Sequence, residues 1–265
     1  MAIKVLDNYI IWDGKDSRDY GIIVRKNPSF PRAERKHTKV SVAGRNGDIF
    51  LLQNAWENYD QTYELFVGDG EENATSLAME KIAEWLAVDE LHETTADDYI
   101  NLTVNGYHTL IDSYEPNVIR LATLTRGYSA NNMKGFFGHV SVTFNCRPER
   151  FTEDAFNVTL IINALATITN PTPMIAKPSI KVSGAGECSV EINGTEVYFP
   201  DMPSTRQIVI DSELQDCYYA DDLSNANNQV VLADGFPTIA PGENTLIGSG
   251  IDYAWAEIVP RWWNL

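Results

Sequence analysis

The sequence predicts a mainly β chain of two domains: an α+β first domain of strands with one helix, then an all-β second domain. Three observations carry this reading. Residues 59–67 alternate strictly, with Tyr59, Gln61, Tyr63, Leu65 and Val67 on one side and Asp60, Thr62, Glu64 and Phe66 on the other, the period of a strand. One segment has a helical stripe instead, with Ala78, Ile82, Trp85 and Leu86 at i, i+4, i+7 and i+8. Beyond residue 178, short apolar runs recur between turns, the pattern of a β-sandwich. A length of 265 residues favours two domains, placed at 1–150 and 151–265.

The elements follow in order. Residues 9–12 form an apolar run that leads into the turn pair Asp13-Gly14, and residues 20–24 form a second short strand. A third strand over 39–42 ends at Gly44-Arg45-Asn46-Gly47, where the glycines and Asn46 tolerate positive φ. Glu80, Lys81 and Glu84 lie on the polar side of the helix, and Asn73 and Thr75 are both suited to cap its start. Asn105-Gly106 between residues 100–104 and 107–111 is a hairpin signal. A strand near 118–124 follows, then a polar loop around Asn131 and Asn132. An alternating strand over 139–146 closes the first domain near Arg147-Pro148. Asn170-Pro171-Thr172-Pro173 and Lys177-Pro178 suit a domain junction. Strands are then expected at 179–182, 189–192, 196–199, 207–210, 229–232 and 253–259.

A net charge of −17 repels a phosphate backbone, which argues against sequence-specific nucleic-acid binding. The acidity either keeps the protein soluble or lines a charge-repelling channel. Cys146, Cys188 and Cys217 are odd in number and far apart, so reduced thiols are expected rather than a disulfide framework. The opening residues lack the pattern of a secretory signal, and no stretch is long and apolar enough to cross a bilayer.

Of His37, His92, His108 and His139, none stands at metal-ligand spacing from another. His92-Glu93 begins a zinc-protease pattern that fails at Ala96. No nucleophile elbow is present, and Gly184-Ala185-Gly186 has Ser189 where a dinucleotide fingerprint requires glycine. The acidic pairs Glu71-Glu72, Asp97-Asp98 and Asp221-Asp222 read as solvated loops rather than a glycosidase pair. The chain is therefore not expected to be an enzyme, and no cofactor or metal is expected.

Several patches, spread in order over nearly the whole chain, resemble the distal tail proteins of siphophages, the tail-tip or baseplate hub component. They are Asp19-Tyr20-Gly21-Ile22, Val42-Ala43-Gly44-Arg45-Asn46-Gly47, Glu84-Trp85-Leu86, Asp112-Ser113-Tyr114-Glu115-Pro116 and Phe144-Asn145-Cys146-Arg147-Pro148. In the second domain they are Ile210-Asp211-Ser212-Glu213, Phe236-Pro237, Pro241-Gly242-Glu243-Asn244 and Pro260-Arg261-Trp262-Trp263. Ala43 departs from the family pattern, which has proline before the Gly-Arg pair. The residues this resemblance singles out are Gly44, Arg45, Gly47, Trp85, Gly242, Asn244, Arg261, Trp262 and Trp263.

The resemblance implies a hexameric ring in the virion tail tip, made in the bacterial host cytoplasm, with first domains around a channel and galectin-like second domains outside. The implied partners are other copies of the chain, the tail-tube protein, the tape-measure protein and a tail-associated, fibre or receptor-binding protein. DNA passes through during ejection, with no membrane insertion. On net charge alone, like-charged subunits repel and assembly strengthens with added salt. The rival reading is a carbohydrate-binding module that uses Trp255, Trp262, Trp263, Tyr218 and Tyr219, since fold does not imply function.

Overall fold

The computed structural model describes residues 8–25, 29–67, 74–87, 106–128, 130–133, 137–161, 165–250 and 253–265. It is mainly β, with one α-helix among the described residues, and it divides into two compact units, 1–150 with Leu265, and 151–264.

The first unit holds β1 (Ile10–Trp12), β2 (Lys15–Asp16), β3 (Ile22–Val24), β4 (Arg35–Val40), β5 (Ile49–Trp56), β6 (Tyr59–Val67), α1 (Ala74–Leu86), β7 (His108–Asp112), β8 (Val118–Thr123), β9 (Ala130–Met133) and β10 (Phe137–Thr152). Its main sheet runs β2-β1-β7-β8-β10-β6-β3, with β9 also paired to β10. The alternation read in β6 holds at every position: Tyr59, Gln61, Tyr63, Leu65 and Val67 are buried and the intervening residues are half-buried. Across the β6–β10 pair, Val140, Val142, Phe144 and Cys146 turn the same way and are fully buried. The helix lays Ile82, Trp85 and Leu86 into this core and leaves Glu80, Lys81 and Glu84 exposed. Two indole N–H groups fasten it: Trp85 Nε1 donates to the Lys15 carbonyl at 3.0 Å and Trp12 Nε1 to the Leu86 carbonyl at 3.3 Å.

Several elements differ from expectation. Asp19 and Tyr20 belong to a 3-10 turn (Ser17–Tyr20), and Gly21 at φ 66 ends it before β3 begins. Thr75 lies inside α1, while Asn73, the 100–104 strand, Asn105 and the His92-Glu93 pair fall outside the described residues. Asn131 and Asn132 are in β9 rather than a loop, because backbone pairing to β10 does not depend on apolar side chains. β10 continues through Pro148 to Thr152.

The second unit holds β11 (Thr159–Ile161), β12 (Ala166–Asn170), β13 (Ser179–Gly184), β14 (Gly186–Ile192), β15 (Thr195–Met202), β16 (Ile208–Asp211), β17 (Asp216–Tyr219), β18 (Val231–Leu232), β19 (Gly242–Ser249), β20 (Tyr253–Val259) and β21 (Trp263–Asn264). Two antiparallel sheets, β11-β20-β13-β16-β17 and β12-β19-β14-β15-β18, supply its core. Ile180, Val182, Ile208, Ile210, Ala256 and Ile258 come from the first, and Val190, Ile192, Val197, Phe199 and Leu246 from the second. The 170–178 passage lies inside this unit, where Asn170 ties it down. Its amide donates to the Met174 carbonyl at 2.8 Å, and its Oδ1 accepts from the Thr172 backbone at 2.9 Å. Residues 229–232 begin in a 3-10 turn (Asn227–Gln229), and only Val231 and Leu232 are strand.

Candidate assembly site

β4 and β5 pair only with each other among the described strands, so the hairpin stands apart from the main sheet. Register places His37 opposite Leu52 and Lys39 opposite Phe50 on one face, and Thr38 opposite Leu51 and Val40 opposite Ile49 on the other. Neither face is covered: Phe50, Leu51 and Leu52 are 54%, 56% and 61% exposed, and Val40 and Val42 are exposed beside them. An isolated two-stranded hairpin is at best marginally stable in water, and a contiguous exposed apolar surface marks an interaction site. At the tip, Gly44 and Gly47 both adopt φ 79, a left-handed conformation that only glycine enters without strain, and the Arg45 N–H donates to the Val42 carbonyl at 3.2 Å. Along the hairpin, Lys39 pairs with Asp48 at 2.8 Å, and Arg35 donates to the Gln53 carbonyl and Asn54 Oδ1, each at 3.0 Å.

The root of this arm is fastened to a buried polar network. Asp112 Oδ1 accepts from the N–H groups of Tyr114 and Glu115 at 3.0 and 2.9 Å, while Oδ2 accepts from the Tyr63 hydroxyl at 2.6 Å and Arg120 Nη1 at 3.1 Å. Glu115 in turn accepts from Arg120, from Arg150 and, at 3.4 Å, from Arg32 on the strap entering β4. Ser29 on the same strap takes the Gln61 amide on its carbonyl at 3.0 Å, and Phe30 meets Tyr114 edge-on with centroids 6.4 Å apart. Burial works against charge on Arg120, yet Tyr63, Asp112, Tyr59 and Glu115 hold its pKa above the ordinary value. Burial pushes the Tyr59 hydroxyl and the Cys146 thiol each up to about 12. A thiol so placed stays protonated and is no nucleophile at neutral pH. The network therefore fixes geometry: it sets the 112–116 turn, and through Glu115 and Arg32 it holds the strap.

In the second unit, Arg261 makes a bidentate pair with Asp211, both contacts at 2.8 Å. Asp211 is 2% exposed and also accepts from the N–H groups of Glu213 and Leu214. Burial alone would raise its pKa, but the Arg261 guanidinium and those N–H groups bring it below the ordinary value. Trp262 is buried, and its carbonyl accepts from the Thr152 N–H at 3.0 Å. Trp263 is half-buried and donates from Nε1 to the Ile175 carbonyl at 2.9 Å. Asn244 is 1% exposed; its amide donates to the Gly242 and Ala240 carbonyls at 2.7 and 2.9 Å, closing the turn where Gly242 sits at φ 86. Among the aromatics, Lys181 Nζ lies 5.7 Å from the Trp255 ring, and the Arg206 guanidinium lies 3.6 Å from the Tyr219 ring while binding Asp221 and Asp222.

The sequence matches no family model and no curated protein. Among solved structures, the chain is similar to the Dit protein of phage SPP1, described as a paradigm of the hub adsorption apparatus in phages that infect Gram-positive hosts. The TM-score is 0.68 and the identity 13%, with 96% of this chain and 98% of that chain covered. The chain has the SPP1 Dit fold.

On this Dit fold the residues singled out by sequence lie in several different elements. Gly44, Arg45 and Gly47 meet at the arm tip, whereas Trp85 is a core residue of the first unit. Gly242 and Asn244 shape the start of β19, and Arg261, Trp262 and Trp263 follow β20. Sequence reasoning missed Phe50, Leu51 and Leu52, whose signal was an apolar run of no clear period. It also missed the role of Glu115 as the acceptor for three arginines. Among the described residues, no group of three or more His, Cys, Asp or Glu side chains could hold a metal, and no helix is long and apolar enough to cross a membrane.

Proposed function

We propose that the chain is a structural component of a phage tail tip, a hub ring of six copies joining the tail tube to the fibre-bearing or receptor-binding parts and passing DNA during ejection. The observation that carries this reading is the correspondence of fold with a phage hub protein over nearly the full length of both chains. The uncovered β4–β5 arm supports it, because a hairpin with two apolar faces is fitted to an assembly rather than to a lone monomer. In this reading residues 1–150 form the ring and 151–265 project from it. The tail-tube and tape-measure proteins are neighbours, and the product is a virion component made in the bacterial cytoplasm. Such a role is mechanical and requires no catalytic step. Three of the five aromatics nominated for sugar binding are engaged by the chain itself, Trp262 by burial, Trp263 by Ile175 and Tyr219 by Arg206, which favours packing over a glycan site.

A closed ring uses head-to-tail contacts and needs a stable interface of more than about 1,000 Å². Native mass spectrometry of the full chain is expected to give a closed oligomer of six 29.6 kDa copies, and labelled antibody on virions is expected to decorate the tail tip. Monomer under all conditions, with label elsewhere, would overturn the reading. Specific glycan capture by that monomer would then favour the carbohydrate-binding alternative.

A further inference from the structure

The sequence holds three Asn-Gly pairs, Asn46-Gly47, Asn105-Gly106 and Asn193-Gly194, and Asn105 lies outside the described residues. An asparagine before glycine is open to attack by the next backbone nitrogen, because glycine has no Cβ to shield that nitrogen or restrict its rotation. The two described asparagines are both exposed, and both pairs lie where antiparallel strands connect, β4 to β5 and β14 to β15. Their side chains are held very differently. Asn193 Nδ2 donates to Asn244 Oδ1 at 2.6 Å, Asn193 Oδ1 accepts from the Thr245 N–H at 2.9 Å, and the Asn193 N–H donates to the Thr245 carbonyl at 3.0 Å. Asn244 is itself 1% exposed and fastened to Ala240 and Gly242, so the clamp on Asn193 is anchored in the second unit. The Asn46 amide and the Gly47 N–H have no hydrogen-bond partner among the described residues.

We propose that Asn46 is a covalent modification site, losing its side-chain amide by cyclisation onto Gly47, and that Asn193 is protected from the same reaction by its hydrogen bonds. Hydroxide removes the proton of the Gly47 N–H, and the nitrogen attacks Asn46 Cγ. The N–Cγ bond forms, the Cγ–Nδ2 bond breaks, and the leaving nitrogen takes a proton from water and departs as ammonia. Water then opens the five-membered imide: cleavage at Cγ gives an aspartate, and cleavage at the main-chain carbonyl gives an isoaspartate. Nothing is oxidised or reduced, and water with its hydroxide is the only co-reactant. Attack requires the Asn46 side chain to swing over the Gly47 nitrogen, a movement that local opening allows in an arm paired with no other strand. At Asn193 the same movement must first break the clamp. Both products place a carboxylate beside Arg45 where a neutral amide stood, and the isoaspartate adds a carbon to the main chain inside the tip turn. The charge and turn geometry of the arm therefore change as the protein ages.

The test is incubation of the purified full-length chain in mildly alkaline buffer made with heavy-oxygen water, followed by peptide mapping, with a parallel sample in concentrated guanidinium chloride. The new carboxylate takes its oxygen from water, so the label separates reaction in the intact chain from reaction during digestion. In the native chain Asn46 is expected to convert at least about tenfold faster than Asn193, since breaking one or two of the Asn193 hydrogen bonds raises its barrier by that much. In guanidinium chloride the two rates are expected to converge, because an unfolded Asn-Gly pair has no clamp. Asn46→Gln is expected to remove the labelled product from the arm, as the longer side chain would have to close a six-membered ring. Conversion of Asn46 no faster than that of Asn193 in the native chain overturns the proposal. So does a gap that persists undiminished in denaturant, since the fold would then not be what protects Asn193. A labelled arm peptide that survives Asn46→Gln would place the reaction at another residue and overturn it as well.

Discussion

Arg261→Ala should destabilise the second unit more than any other single change of a partly exposed side chain in it. The guanidinium supplies two hydrogen bonds to Asp211 at 2.8 Å, and Asp211 is 2% exposed, so its removal leaves a buried carboxylate short of its cation. Breaking a buried pair in this way costs about 3–5 kcal/mol. Two features reduce the figure. Asp211 keeps the N–H groups of Glu213 and Leu214, and the Arg261 side chain is 21% exposed, so water reaches part of the pair. We therefore expect about 2–4 kcal/mol, set against a typical domain stability of about 5–15 kcal/mol.

Arg261 also sits at φ 58, so Arg261→Gly should be milder than Arg261→Ala by about 1 kcal/mol, since glycine carries no left-handed penalty. The pH dependence has a definite sign. The Asp211 pKa is lowered by folding, so the pair's contribution is complete above the ordinary value of 3.8 and disappears as pH falls through the lower folded value. Urea unfolding of the full chain, followed by tryptophan fluorescence, should show a gap between wild type and Arg261→Ala that is constant near neutrality and closes below pH 3.8. A midpoint unchanged by Arg261→Ala at neutral pH would refute this account of the pair.

Trp262→Ala should cost about 3–5 kcal/mol as a buried indole is lost, and Trp263→Ala only about 1–2 kcal/mol for its half-buried ring and single hydrogen bond; equal denaturation midpoints would contradict the burial difference. A Cβ added at Gly47 meets no atom within 4 Å, so the cost of Gly47→Val, about 1–3 kcal/mol, is chiefly backbone strain. Because the arm pairs with no other strand, amide exchange over 35–56 should accelerate while the global melting temperature holds, and unaltered exchange would count against the turn geometry. All three cysteines are buried, and burial pushes Cys146 and Cys217 each up to about 12, so the native chain should resist alkylation at about pH 8 and react at three sites once unfolded. Rapid labelling of the native protein would show that the cores open.

Much of the secondary structure was legible because it rests on local patterns. The period of two in β6 and β10 names the buried face residue by residue, and the i, i+4, i+7 stripe finds α1, since each reflects how a regular backbone aims successive side chains. β12 and β19 were not legible: their strands are rich in Thr and Asn, and their order comes from a cross-strand ladder that composition does not encode. β5 was missed for the opposite reason. Its run Ile49, Phe50, Leu51, Leu52 is apolar on both faces, a pattern that has no period and makes sense only for a hairpin not laid against its own core.

The sequence by itself determined the fold class, the helix and the faces of the central strands, because all of these are properties of neighbours along the chain. Only the tertiary structure decided that Arg261 would find Asp211 fifty positions away, that Glu115 would collect Arg32, Arg120 and Arg150, and that the β4–β5 arm would stand uncovered. Those outcomes depend on which distant groups are buried together. A carboxylate leaving water must find its donors wherever the packed chain brings them, and no local pattern announces the partner.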